Sequence, residues 1–219
     1  MRVLLITDSL GCPREEIAVY NTWTDRILSK WSSKKVHFYT LCKHGLAADD
    51  IDINYVREIS PDLIIMQIGI VDACPRALGR KESWWIRRIP IVKSIVKRIC
   101  RRYHYTITRM RNKHYCSIKT FNKVIGKIKE VTDSHIVFIS IAPGGAGLST
   151  KCYNLQRDID RYNSSVKDRS DVLFLNPYIG NVEEFILSDG HHLNLNGQAM
   201  VFSAVDKIIG KYLQEANCV

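Results

Sequence analysis

The chain begins Met1-Arg2-Val3-Leu4-Leu5-Ile6-Thr7-Asp8-Ser9-Leu10. Four apolar residues in a row, closed at once by polar ones, are too few for an amphipathic helix and fit a strand buried on both faces. Comparable short runs recur at residues 36–41, 63–68, 136–142 and 172–175, with helical periodicity at 15–31, 53–59, 116–131, 154–169 and 194–216. Strand alternating with helix predicts a parallel sheet with right-handed crossovers and helices on both faces, a three-layer α/β/α architecture. The expected layout is a flavodoxin-like five-stranded sheet in the order 2-1-3-4-5, with ligands at the carboxyl ends of the strands.

With 219 residues the chain fits one such domain, carrying a basic helical insert at about residues 79–115. The opening apolar run is too short for the core of a signal peptide, so export by a cleaved leader is not expected. No stretch approaches the roughly 20 apolar residues of a membrane span. Seven cysteines, without a Cys-x-x-Cys pair, point to thiols in a reducing cytoplasm, with Cys12 and Cys74 as small buried fillers. The seven histidines show no zinc-type spacing, and neither a metal nor another cofactor is expected.

The formal charge of +10 is concentrated. Residues 79–115 hold twelve Lys or Arg and a single acid, Glu82, so the basicity belongs to the insert. Within it Ile91, Val92, Ile95, Val96, Ile99 and Cys100 alternate with Lys93, Lys97, Arg98, Arg101 and Arg102, the pattern of a basic amphipathic helix. Three arrangements suit that pattern: packing on its own domain, covering a site as a lid, or lying in an anionic membrane interface, where Trp84 and Trp85 are also at home. A nucleic-acid partner is disfavoured; Tyr103, His104 and Tyr105 offer stacking surfaces, but no recognition motif accompanies them.

Ser9 follows the first predicted strand, and Asp189-Gly190-His191-His192 follows the last. On a wound parallel sheet both segments emerge at the same edge. A serine hydroxyl becomes nucleophilic when an imidazole takes its proton, and a carboxylate then fixes the tautomer of that imidazole. Gly45 and Asp72, after the second and third strands, join the same rim. The loop of residues 143–147 follows the fourth strand and reads as a substrate-facing wall or as structural punctuation.

These segments resemble the SGNH, or GDSL-type, serine hydrolases. The family's Gly-Asp-Ser-Leu stands here as Thr7-Asp8-Ser9-Leu10, its Gly-x-Asn-Asp as Gly69-Ile70-Val71-Asp72, its second-block glycine as Gly45, and its Asp-x-x-His as Asp189 to His192. The resemblance implies Ser9 as nucleophile, His192 as base, Asp189 as its orienting acid, and an oxyanion hole from the N–H groups of Ser9 and Gly45. Val71 departs from the pattern, replacing an amide whose loss costs about a hundredfold to a thousandfold in rate. Arg76 is expected to replace that donor, to hold an anionic substrate, or simply to begin the insert. Asp72 is expected to brace the nucleophile loop or cap a turn, and His191 to form a pocket wall. The segment from Gly69 to Arg76 resembles a variant found in enzymes of bacterial surface-polysaccharide gene clusters. The implied activity is removal of a small acyl group, such as acetyl, from a carbohydrate or lipid-linked saccharide, in the cytoplasm or at the inner membrane face. The alternatives are an O-acyltransferase using the same triad and a non-catalytic basic sugar- or membrane-binding module.

Overall fold

The computed structural model describes residues 1–32 and 36–217, with side chains as far as Gln214; Cys218 lies outside this range. In chain order the elements are β1 (Arg2–Thr7), α1 (Trp23–Trp31), β2 (His37–Cys42), α2 (Ile53–Ile59), β3 (Leu63–Gln67), α3 (Ile70–Ala73), α4 (Arg80–Arg87), α5 (Pro90–Arg102), α6 (His104–Arg111), α7 (Ile118–Val131), β4 (His135–Ile139), α8 (Ala146–Ser149), α9 (Leu155–Lys167), β5 (Leu173–Leu175) and α10 (Leu195–Asn217). The five strands form one parallel sheet in the order β2-β1-β3-β4-β5. This is the expected architecture.

Burial explains the apolar runs. Leu4, Leu5 and Ile6 of β1 and Leu63 to Met66 of β3 are fully buried, because both strands are central and covered on both faces. Each such side chain contributes about 1.5–3 kcal/mol relative to exposure. The edge strands β2 and β5 keep partly exposed residues. On one face α1 packs against α10; on the other α7 packs against α2 and α9. Among the described residues no helix is long and apolar enough to cross a membrane.

Two boundaries differ from expectation. The helix expected over 15–31 starts only at Trp23, where Thr22 Oγ1 accepts the N–H of Asp25 at 3.3 Å. Upstream, Ile17 plugs into the core while Val19 and Tyr20 face solvent, so the apolar residues there do not share a helical face. The strand expected to reach residue 142 stops at Ile139 because Ile141 leaves the ladder, exchanging both backbone groups with the amide of Asn163 at 2.8 and 3.0 Å.

The insert consists of three helices, α4 to α6, and the amphipathic helix expected from Ile91 to Cys100 is α5. Its cover is thin: α4 and α5 bury no residue and α6 buries only Thr108, while Ile86, Val96, Cys100 and Ile107 are partly covered. Short ties hold its two ends, described below.

Candidate active site

Ser9 sits where β1 ends, in a single helical turn, Ser9–Gly11, capped by Asp8, whose Oδ1 accepts the N–H of Leu10 at 2.9 Å. Gln198 of α10 donates from Nε2 to the Leu10 carbonyl at 2.9 Å, and the Asp8 N–H donates to the Gln67 carbonyl at the end of β3 at 3.2 Å. The turn is thereby fixed from the neighbouring strand and from the last helix. Burial lifts the Asp8 carboxyl to about 7; its Oδ2 is buried without a hydrogen-bond partner.

The loop after β5 brings the other two groups. His192 Nε2 lies 2.9 Å from Ser9 Oγ, and His192 Nδ1 lies 2.6 Å from Asp189 Oδ2. Asp189 Oδ1 accepts the N–H groups of both His191 and His192 at 3.1 Å. Burial pushes the Asp189 carboxyl upward, but these backbone and ring donors outweigh it and hold the group well below the usual carboxylate range. An ionised Asp189 can only accept, so Nδ1 carries the proton and Nε2 presents its lone pair to the serine hydroxyl. Burial first, then the neighbouring His191 ring, brings His192 down to about 4 against the pull of Asp189, leaving the imidazole neutral at pH 7. The unperturbed value near 6.5 does not apply in this site.

Of the two readings of the glycine-rich loop at residues 143–147, the structural one fits its contacts. Its Gly145 N–H donates to the Gly190 carbonyl at 2.9 Å, and Gly190 has a φ of +85°. A Cβ on Gly147 would lie 2.2 Å from the Ser188 carbonyl oxygen, and one on Gly190 2.2 Å from the Leu148 nitrogen. Two backbones thus touch with no room for side chains, and this contact seats the loop carrying Asp189.

Ser9 and His192 open into a cavity of about 350 Å³ whose wall includes Gly45, Val71, Arg76 and His191. Gly45 has a φ of +72°, and its N–H is hydrogen-bonded to no described residue. The His191 ring lies beside that of His192, centroids 3.8 Å apart and planes tilted by 43°, and forms part of the cavity wall. Val71 lends the cavity an apolar surface where an amide donor was missed. Arg76 is fixed at the same wall: its Nη2 donates to the Val71 carbonyl at 3.1 Å and its guanidinium lies 4.6 Å from the Tyr115 ring. No described residue between 80 and 111 lines the cavity, so the insert does not act as its lid in this structure.

Of the two readings of Asp72, the turn cap is the one its hydrogen bonds match. It does not brace the nucleophile loop; both its oxygens accept the Ala48 N–H, at 3.1 and 3.3 Å, so it holds the segment after β2 that carries Gly45. Burial raises its carboxyl to about 7. Cys12 and Cys74 are buried, as expected of fillers, and Cys74 Sγ lies 3.6 Å from that of Cys152.

Sequence reasoning missed Arg14, whose Nη2 lies 3.4 Å from Asp189 Oδ2 and which lines the cavity. It also missed His44 and Leu148 in the cavity wall. The ligand-type atoms of Asp189, His191 and His192 cluster within 4.8 Å, but the carboxylate is already committed to the donors named above. A larger cavity, about 740 Å³, lies between β5 and α10, away from Ser9.

No family model matches the chain, and no curated protein matches it. Solved structures do. The acetylxylan esterase Axe2 from Geobacillus stearothermophilus aligns at 14% identity and a TM-score of 0.59, over 95% of this chain and 94% of that one. The psychrotrophic esterase EstA from Pseudoalteromonas sp., inhibited by monoethylphosphonate, aligns at 9% and 0.54, over 97% and 98%. TesA aligns at 10% and 0.58, over 94% and 96%. The likeness is one of fold: this chain has the α/β/α fold of these hydrolases along nearly its whole described length. Two Axe2 variants described as catalytic mutants replace a histidine and an aspartate three positions apart.

Proposed function

We propose that the protein is a serine ester hydrolase in which Ser9 is the nucleophile, His192 the general base and acid, and Asp189 the group that orients the imidazole. The observation that carries this reading is the continuous relay from Ser9 Oγ to His192 Nε2 and from His192 Nδ1 to Asp189, at 2.9 and 2.6 Å. Nε2 takes the hydroxyl proton as Oγ adds to the ester carbonyl. The resulting oxyanion faces the N–H groups of Ser9 and Gly45. The tetrahedral species collapses, the acyl group stays on Oγ, and His192 returns the proton to the departing alkoxide. Water, deprotonated by the same imidazole, then releases the acid and restores the serine.

Arg76 supports the oxyanion in place of the amide absent at Val71, with its cation at the cavity wall and its orientation fixed by the Val71 carbonyl. The spacing of Asp189 and His192 matches that of the two positions replaced in the Axe2 catalytic mutants. A cavity of about 350 Å³ suits a small acyl group, and the acetylated xylo-oligosaccharide substrates named for Axe2 favour an acylated saccharide, free or lipid-linked, as the substrate class. The surface-polysaccharide resemblance of residues 69–76 points the same way.

The test is covalent. A fluorophosphonate probe should add to the Ser9 peptide of the native protein and not to a Ser9→Ala variant with the same thermal transition. Lack of labelling in native, folded protein would sink the proposal. With His192 near 4, the acid limb of kcat/KM on an aryl acetate should fall well below pH 6.5, and activity should be level from about pH 5.5 to neutral.

A further inference from the structure

The insert has a surface that the esterase reading leaves unused. In α5, Ile91, Val92, Ile95 and Ile99 are all exposed, the first at 76% of its area, and they recur at the spacing of one helical stripe. Trp84 and Trp85 of α4 are exposed as well, at 49% and 64%. Isolated exposed apolar residues are ordinary, but a contiguous stripe flanked by aromatic residues marks a surface with a partner.

The flanking charge says which partner. Glu82, the only acid in residues 79–115, is spent on Arg111 and Lys113 at 2.5 and 2.6 Å. Lys93, Lys97, Arg98, Arg101 and Arg102 of α5 have no acidic partner among the described residues. A second copy of the chain would bring the same cations face to face. A nucleic acid would satisfy the cations and leave the isoleucines in water. An anionic bilayer satisfies both, taking the stripe into the boundary between headgroups and acyl chains and the cations onto lipid phosphates.

The ends of the insert are tied to the rim that carries Ser9. Arg80 pairs with Asp49 and Asp50, each at 3.0 Å, in the segment after β2. Its guanidinium lies 5.2 Å from the ring of Tyr115, which Arg76 of the cavity wall also contacts. His104 meets the Lys151 carbonyl at 2.8 Å, and Thr108 Oγ1 accepts the Tyr153 N–H at 3.2 Å, both in the segment after β4. A surface bound through α5 is therefore joined by short links to the cavity wall.

We propose that residues 80–111 dock the protein in the plane of an anionic membrane, with Trp84, Trp85, Ile91, Ile95 and Ile99 entering the interface and the cations of α5 against lipid headgroups. The proposal stands apart from the catalytic reading.

Vesicle co-sedimentation of the full chain tests it. Binding is expected to phosphatidylcholine vesicles containing about 30% phosphatidylglycerol, absent for phosphatidylcholine alone, and weakened by added salt. Tryptophan emission should shift to the blue on binding, and the shift should vanish in a Trp84→Phe, Trp85→Phe double variant, because Trp23 and Trp31 are already buried. A double variant Ile91→Asp, Ile95→Asp, altering only exposed positions, should lose about tenfold or more in partitioning while keeping aryl-ester turnover. Three results overturn the proposal: no sedimentation with anionic vesicles at low salt, undiminished binding by the double variant, or a solution dimer that shields the stripe. Retention on RNA or DNA with no vesicle binding would likewise overturn it in favour of nucleic acid.

Discussion

Helices α5 and α7 carry nearly the same pattern and meet opposite fates. α5 has 13 residues and α7 has 14, and both repeat apolar side chains at helical spacing with lysines between. α7 buries Phe121, Val124, Ile125 and Ile128 between the sheet and its neighbouring helices; α5 buries nothing. Periodicity therefore reveals which face is apolar and says nothing about what covers it. Net charge differs between the two: α7 sets Glu130 against Lys119, Lys123, Lys127 and Lys129, whereas α5 places five cations in a 13-residue helix that contains no acid.

The sharpest separation of the two regions is catalytic. Ser9→Ala should reduce aryl-acetate turnover by roughly a thousandfold or more, while Ile91→Asp with Ile95→Asp should leave it unchanged. Equal losses in both would mean that the insert belongs to the chemistry. The next contrast is thermodynamic. Phe121→Ala should cost about 3–5 kcal/mol in denaturant unfolding, and Ile95→Ala no more than about 0.5 kcal/mol, because only the first opens a cavity. A large cost for Ile95→Ala would show that α5 is covered in solution.

Carboxylates give a third contrast. Asp8 is fully buried and lifted to about 7, so the native state holds a proton that the unfolded chain releases near 3.8, and stability falls as pH rises across that window. Asp8→Asn removes the penalty; its stability relative to the parent should improve by on the order of 4 kcal/mol between pH 4 and pH 8, read from thermal melts at each pH. In the insert Glu82 is only partly covered and is paired, held at about 2 chiefly by Arg111. Glu82→Gln should change stability by about 0–1 kcal/mol. If the two substitutions behaved alike, the difference in burial would not be what distinguishes them.

The fold was largely legible because its central strands are apolar on both faces, which leaves little ambiguity in the run from Val3 to Ile6 or in β3. Ser9, Asp189 and His192 could be read together because each follows a predicted strand, and a parallel sheet delivers all such segments to one edge. The contact of Arg14 with Asp189 was not legible: it joins residues 175 positions apart through a loop without periodicity. The partner of Asp72 was not legible for a related reason. A buried carboxylate seeks the nearest free N–H, and Ala48 supplies it only because the segment after β2 folds over α3. The start of α1 was misread because Ile17 and Val19 look alike in a pattern and differ in burial.

The back-to-back seating of Gly147 and Gly190 has an evolutionary consequence. Neither position can acquire a side chain without displacing the loop that orients the imidazole, and a change at one cannot be compensated at the other, since each meets backbone and not a side chain that could shrink. Divergence among descendants of this chain is therefore channelled to parts of the cavity wall outside this contact, where Ile70 and Val71 can vary and reshape selectivity while the relay stays in place.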